Sequence, residues 1–220
     1  MSRNGLVQAI EQAIGALQPV YRNNADESDL YEASLLVVCV EAARAAGGSV
    51  LLTQDGTNPA TALRFRRSPG NLWSGDFTYA MVRFPGLRKQ LEIHLGVYVA
   101  APTSKVAHEC DVAVLDQQEA ERSRRAMVHP RSRGLVAAIE AKCYSISPSL
   151  GIGRGFLGLA QELGGKKLSL VFPSQRSDTL GALIAKKDSE AYPQVLPGTT
   201  AAARLRSRLD QAIRNWMDQL

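Results

Sequence analysis

Two short hydrophobic stretches, HECDVAVL (residues 108–115) and LVAAIEAK (residues 135–142), constrain this chain more than any other feature. Each apolar run is shorter than a buried helix and suits a pleated surface, so both read as buried strands. Each also carries charge where its apolar run begins or ends: Asp111 just ahead of the first, Glu140 and Lys142 just behind the second. A carboxylate taken out of water needs a compensating partner, and a divalent cation is the most effective one. Oxygen ligands select magnesium, manganese or calcium over zinc, and magnesium takes one or two carboxylates while keeping several waters. Asp111, Glu140 and the Ala141 carbonyl are the expected ligands. Lys142, two residues after Glu140 on a strand, shares its face. That places an ammonium where it orients or helps deprotonate a bound water and stabilises charge building on a phosphate.

The flanking sequence supplies helices and further strands. Leu6, Ile10, Ile14 and Leu17 recur at helical spacing, which predicts a helix ending before Pro19, followed by a polar turn, RNNADESD. From about Asp29, LYEASLLVVCVEAARAAGG reads as a helix stopped by Gly47 and Gly48, apolar on nearly every side and therefore deeply buried. TALRFRR, FTYAMVRF and LEIHLGVYVA predict an antiparallel meander. A polar insert, DQQEAERSRRAMVHPRSRG, separates the two strands that carry the charged ends. Beyond them come a helix over about 154–163, a strand in KKLSLVF, a helical segment near 179–187, and an amphipathic tail helix marked by Leu205, Leu209, Ile213, Trp216 and Leu220. No internal repeat or low-complexity linker is present, so the 220 residues predict one α/β domain with a mixed sheet: an N-terminal helix and turn to residue 28, a core over 29–173, and a helical segment over 174–220.

No run of about 18 apolar residues occurs, and MSRNGLVQAI lacks the plan of a secretory signal, so a soluble, cytoplasmic protein without a membrane partner is expected. Cys39, Cys110 and Cys143 sit in apolar segments without zinc-type spacing and read as reduced, buried fillers. The net charge of +5 favours a polyanionic partner without identifying it.

Asp111 followed by Glu140-Ala141-Lys142, both halves embedded in strand residues, resembles the PD-(D/E)xK, or restriction-endonuclease-like, nuclease superfamily. The resemblance covers about 29–172 and implies an αβββαβ core: the helix from Asp29, strands near Leu91, Glu109 and Leu135, the helix near Arg154 and the strand near Leu168. It implies a nuclease, with DNA preferred over RNA, in which magnesium, or manganese in its place, is held by Asp111 and Glu140 while Lys142 assists the attacking water. Members often carry a further acid on the first core helix, and Glu32 takes that place here as support for the metal or a second ion. Others place a Gln, Arg or Lys on the helix after the ExK strand, which points to Arg154 and Gln161. A role in restriction, anti-phage defence or repair, and a homodimer or a partner protein of a defence system, are family-level expectations. Cys110 stands where the family name has proline.

Arg124, Arg125, Arg131 and Arg133 in the insert, and Arg66 and Arg67 in FRRSPGNLW, are candidate phosphate contacts; a solvated, internally paired surface is the alternative for each. A catalytically inactive nucleic-acid-binding or assembly module on the same fold is the main rival function. Gly153, Gly155 and Gly158 spell GxGxxG, the signature of a dinucleotide loop, but Pro148 and several residues separate them from the preceding strand.

Overall fold

A computed structural model of the protein describes residues 2–144, 146–176, 178–185 and 189–219. Among these residues the chain runs α1 (Arg3–Ile14), α2 (Pro19–Asn24), α3 (Glu27–Ala45), β1 (Ser49–Thr53), β2 (Tyr79–Arg83), β3 (Gln90–Ala100), β4 (Ala107–Asp116), α4 (Gln117–Ala126), β5 (Leu135–Ala141), α5 (Leu150–Leu163), β6 (Leu168–Val171), α6 (Asp178–Ala185), β7 (Glu190–Tyr192) and α7 (Thr200–Met217). The strands form one mixed sheet in sequential order β1 to β7. β1 to β5 are antiparallel neighbours, whereas β5, β6 and β7 are parallel, with α5 and α6 in the intervening connections.

Helices cover both faces of the sheet. On one side α1, α3 and α7 close a core that includes Leu36, Ile93, Val112, Ile139 and Leu209; on the other, α5 and α6 close a second core around Cys110, Ala138, Phe156 and Leu170. α3 is buried round most of its circumference, as its continuous apolar composition requires. Its start is set by a capping box: the Asp26 carboxylate accepts from the Asp29 N–H at 2.9 Å, and the Asp29 carboxylate accepts from the Asp26 N–H at 3.0 Å. The tail helix α7 is fastened to the body by Trp216, whose indole N–H donates to Asp116 Oδ2 at 3.1 Å. Among the described residues no helix is long and apolar enough to cross a membrane.

A bend in the sheet sets the position of Asp111. Residues two apart on a straight strand share a face, yet Leu95 and Val97 of β3 belong to opposite cores. Between them Gly96 adopts φ +58°, a conformation that side chains other than glycine rarely take. The β3–β4 pairing passes from Leu95↔Val112 to Val97↔Cys110 across this point, so the hairpin turns at Gly96 and carries Asp111 with it.

Several sequence expectations give way. TALRFRR is not a strand: its backbone bonds instead to residues 16 and 18 through Leu63 and to Thr78 through Arg64, and SVLLT forms the edge strand β1. α1 stops at Ile14 because Gly15 takes φ +117°, and Leu17 pairs with Leu63 in an isolated bridge. The RNNADESD turn contains the end of α2 and the cap of α3. The GxGxxG glycines lie inside α5 rather than in a loop, with Gly153 packed against Leu180 so closely that a Cβ would approach it to 2.6 Å; no phosphate-cradling turn exists there. Leu220, Lys186 and Lys187, expected within helices, lie outside the described residues.

Candidate active site

β4 and β5 are paired from Leu115↔Leu135 to Val112↔Ile139. Beyond that pair the bend draws β4 aside, and the Ala141 N–H donates to Asp111 Oδ2 at 2.6 Å. A side-chain carboxylate thereby takes the hydrogen bond at the point where the ladder parts, which accounts for an acid only 6% exposed inside an apolar strand. The Lys142 N–H donates to the Val171 carbonyl of β6 at 2.9 Å, so the end of β5 is held from both sides. On this anchored segment Lys142 Nζ lies 2.6 Å from Glu140 Oε1, with both side chains partly buried.

Acids outnumber bases here. Burial pushes the Asp111 carboxyl up to about 7, the Glu140 charge adds to the rise, and the Ala141 N–H and Lys142 oppose it. Glu32 on α3 is pushed up to about 8, first by burial and then by the charges of Asp111, Asp29 and Glu109. Among the described residues the Glu32 side chain has neither a hydrogen bond nor a salt bridge. Glu109 is raised by burial and then by Glu140. Burial works against the Lys142 ammonium, but Glu140 and Asp111 more than offset it, so its pKa is raised. Glu109 is the acid that sequence reasoning missed, although the signal was present: it precedes Asp111 by two residues on the same strand.

Among the described residues no three His, Cys, Asp or Glu side chains are gathered closely enough to hold a metal ion. The ready-made three-acid cage expected from Asp111, Glu140 and Glu32 is therefore not formed. What is formed is a pair of acids on neighbouring strands, beside the Ala141 backbone, with a third acid, Glu32, whose carboxyl is raised first by burial and then by the Asp111 charge. Two carboxylates and a carbonyl suffice for magnesium. A cation beside Asp111 would offset the burial, and after it the neighbouring negative charges, that raise the Asp111 and Glu32 carboxyls, so the donor set fits a divalent ion in its chemistry.

The other candidate residues are dispersed. Arg154 and Gln161 are exposed on α5 and form no hydrogen bond or ion pair with the acids. Arg66 is 9% exposed; it donates to the carbonyls of Asn71 at 2.6 Å and Ser74 at 2.8 Å and lies over the Phe77 ring. Arg124 is bound through both terminal nitrogens to the buried carboxylate of Glu92. Nη2 of Arg66 and both terminal nitrogens of Arg124 are thus engaged within the fold, the internally paired arrangement. Arg67 pairs with Asp29 at 2.8 Å and Arg131 with Glu119 at 2.6 Å. Arg125 and Arg133 remain largely exposed, each with a carboxylate near 4 Å.

No protein-family model, no curated protein and no solved structure matches the chain.

Proposed function

We propose that the protein is a divalent-cation-dependent nuclease hydrolysing phosphodiester bonds, with DNA preferred over RNA. The observation that carries this reading is the placement of Asp111 at the parting of β4 and β5, hydrogen-bonded to the Ala141 N–H and next to the Glu140–Lys142 pair. A fold has little reason of stability to keep two or three mutually repelling acids in a half-buried spot, and perturbed carboxylates of this kind gather at functional sites. Asp111 and Glu140, with the Ala141 carbonyl, would hold the cation. Once bound, it supplies Lewis acidity toward a phosphate oxygen and acidifies a bound water. Lys142, with its raised pKa, is an ammonium at neutral pH. Its part is to orient the nucleophile and to offset negative charge on the phosphate rather than to remove a proton. Glu32, beside Asp111, supports the cation by its charge.

One observation favours a second reading, a non-catalytic nucleic-acid-binding or assembly module: Lys142 already neutralises Glu140, and no three-acid cage exists among the described residues. The two readings separate in one assay. Plasmid, single-stranded DNA and RNA are incubated with and without magnesium in the presence of wild type, Lys142→Ala and Glu140→Gln. The nuclease reading expects magnesium-dependent cleavage by wild type, slowed by about 10²-fold or more in each variant. Equal behaviour of all three proteins excludes catalysis by these residues.

A further inference from the structure

At the other end of β4 and β5, where Asp116 leaves one strand and Leu135 enters the next, the surface opens into a groove of about 1130 Å3. Leu135 precedes Glu140 by five residues, roughly 17 Å of strand, and none of Glu32, Glu109, Asp111, Glu140 and Lys142 lines the groove. α7 forms one wall; the others come from α4, the turn after it, and the residues before β6. Seven Lys and Arg side chains line the groove against three carboxylates. In a chain whose whole net charge is +5, a surplus of four cations in one concavity is a strong concentration.

The positive charge is built into the fold. Glu119 on α4, 6% exposed, accepts from Arg122 at 2.6 Å and from Arg131 at 2.6 Å, and Arg133 lies 3.9 Å away. One carboxylate thus holds three guanidiniums, and two positive charges remain uncompensated at that spot. The backbone is drawn in as well: the Arg131 N–H donates to Glu119 at 2.8 Å, and a Cβ on Gly134 would come within 2.5 Å of the Glu119 side chain. Across the groove Lys89 sits over the Trp216 ring at 5.8 Å, and Lys167 donates to the Ser132 carbonyl at 2.7 Å. Arg133, with 71% of its side chain exposed, and the exposed Lys166 project from this scaffold.

We propose that this groove binds the phosphodiester backbone of a single-stranded nucleic acid. Fixed guanidiniums and ammoniums match a row of phosphates. The amides of Gln118, Gln211 and Asn215, which also line it, offer hydrogen bonds to sugars and base edges. A positively charged groove that follows one backbone is the form such recognition takes. The grip is separate from the acid cluster and does not rest on catalysis there.

The test is fluorescence anisotropy with a labelled oligo(dT) strand, without divalent cation, so that cleavage plays no part. Wild type is compared with an Arg133→Ala/Lys166→Ala double variant and with Arg83→Ala/Arg204→Ala, an exposed pair that lines neither the groove nor the acid cluster. The double variant is expected to bind about tenfold or more weakly, to lower the slope of log K against log salt by about 1.4, and to melt as wild type does. The Arg83→Ala/Arg204→Ala control, which removes the same charge outside the groove, is expected to bind as wild type does. Unchanged affinity and slope in the double variant overturns the proposal, as does absence of binding by wild type. Competition that is equally effective with tripolyphosphate, or with duplex of the same length, also overturns it, since the site then reads charge alone or a different ligand.

Discussion

An Asp111→Asn variant is expected to lose metal-dependent cleavage by about 10²-fold or more and, without divalent cation at pH 8, to melt several degrees above wild type. Asparagine keeps the oxygen that accepts from the Ala141 N–H, so the bridge at the parting of the strands survives. It removes the charge and turns the other oxygen, which makes no hydrogen bond to the Ala141 N–H, into an amide NH2. In wild type that charge is unfavourable: burial, then Glu140, raises the Asp111 pKa from 3.8 to about 7 in the folded chain. Between those values the folded state binds more protons than the unfolded state, so stability falls as pH rises through this window, and the full penalty is present above it. Glu32, raised from 4.5 to about 8, adds a second decline of the same sign. Each kcal/mol recovered is worth about 2–4 °C in a domain of this size. Millimolar magnesium should then raise the wild-type melting temperature at pH 8 and leave the variant unchanged. Melting curves at pH 5 and pH 8, with and without magnesium, read all of this. A variant that melts lower than wild type at pH 8 without metal would identify Asp111 as a structural anion and sink the functional reading of its burial.

The largest loss of stability is expected from Arg124→Ala. Glu92 of β3 is wholly buried, and its carboxylate accepts from Arg124 at 2.8 and 2.5 Å and contacts His94 Nε2 at 2.7 Å. Burial works against the Glu92 charge, but Arg124 and His94 hold its pKa below the ordinary value. Burial pushes the His94 pKa down despite Glu92, so His94 stays neutral, donating through Nε2 and stacking on Tyr79 at 4.7 Å. Removing Arg124 leaves a buried carboxylate with one neutral donor, at a cost of about 3–5 kcal/mol, or about 6–20 °C in melting temperature. A Glu92→Leu/Arg124→Leu variant, which removes both charges, should recover most of that loss. Urea unfolding of the three proteins decides it. A loss under about 1 kcal/mol for Arg124→Ala would show that the ion pair is not what ties α4 to the sheet.

Much of the fold was legible because its signals are local. Continuous apolar composition marks α3, and three dense runs mark β3, β4 and β5. TALRFRR misled because its alternation is real, with Leu63 and Phe65 buried, but its backbone partners are a loop and one threonine rather than a neighbouring strand. β1 is five residues long and carries no comparable run. At the site, charge beside apolar runs singled out Asp111, Glu140 and Lys142, but Asp111 lies in the middle of β4 rather than at its end, because the strand begins at Ala107. The bend at Gly96 was not, because a positive φ within a strand leaves no mark in composition. Nor could the sequence sort the arginines into paired and free. Arg124 finds its carboxylate 32 residues away and Arg131 finds its own 12 away, distances at which local pattern is silent.

The central claim is a shared cation between Asp111 and Glu140, and crystals soaked with manganese test it most directly. One anomalous peak is expected within about 2.0–2.3 Å of oxygens from both acids and from the Ala141 carbonyl, with Lys142 Nζ displaced from its 2.6 Å contact with Glu140. A crystal that takes up manganese elsewhere while Lys142 stays on Glu140 and no peak lies beside Asp111 would contradict it.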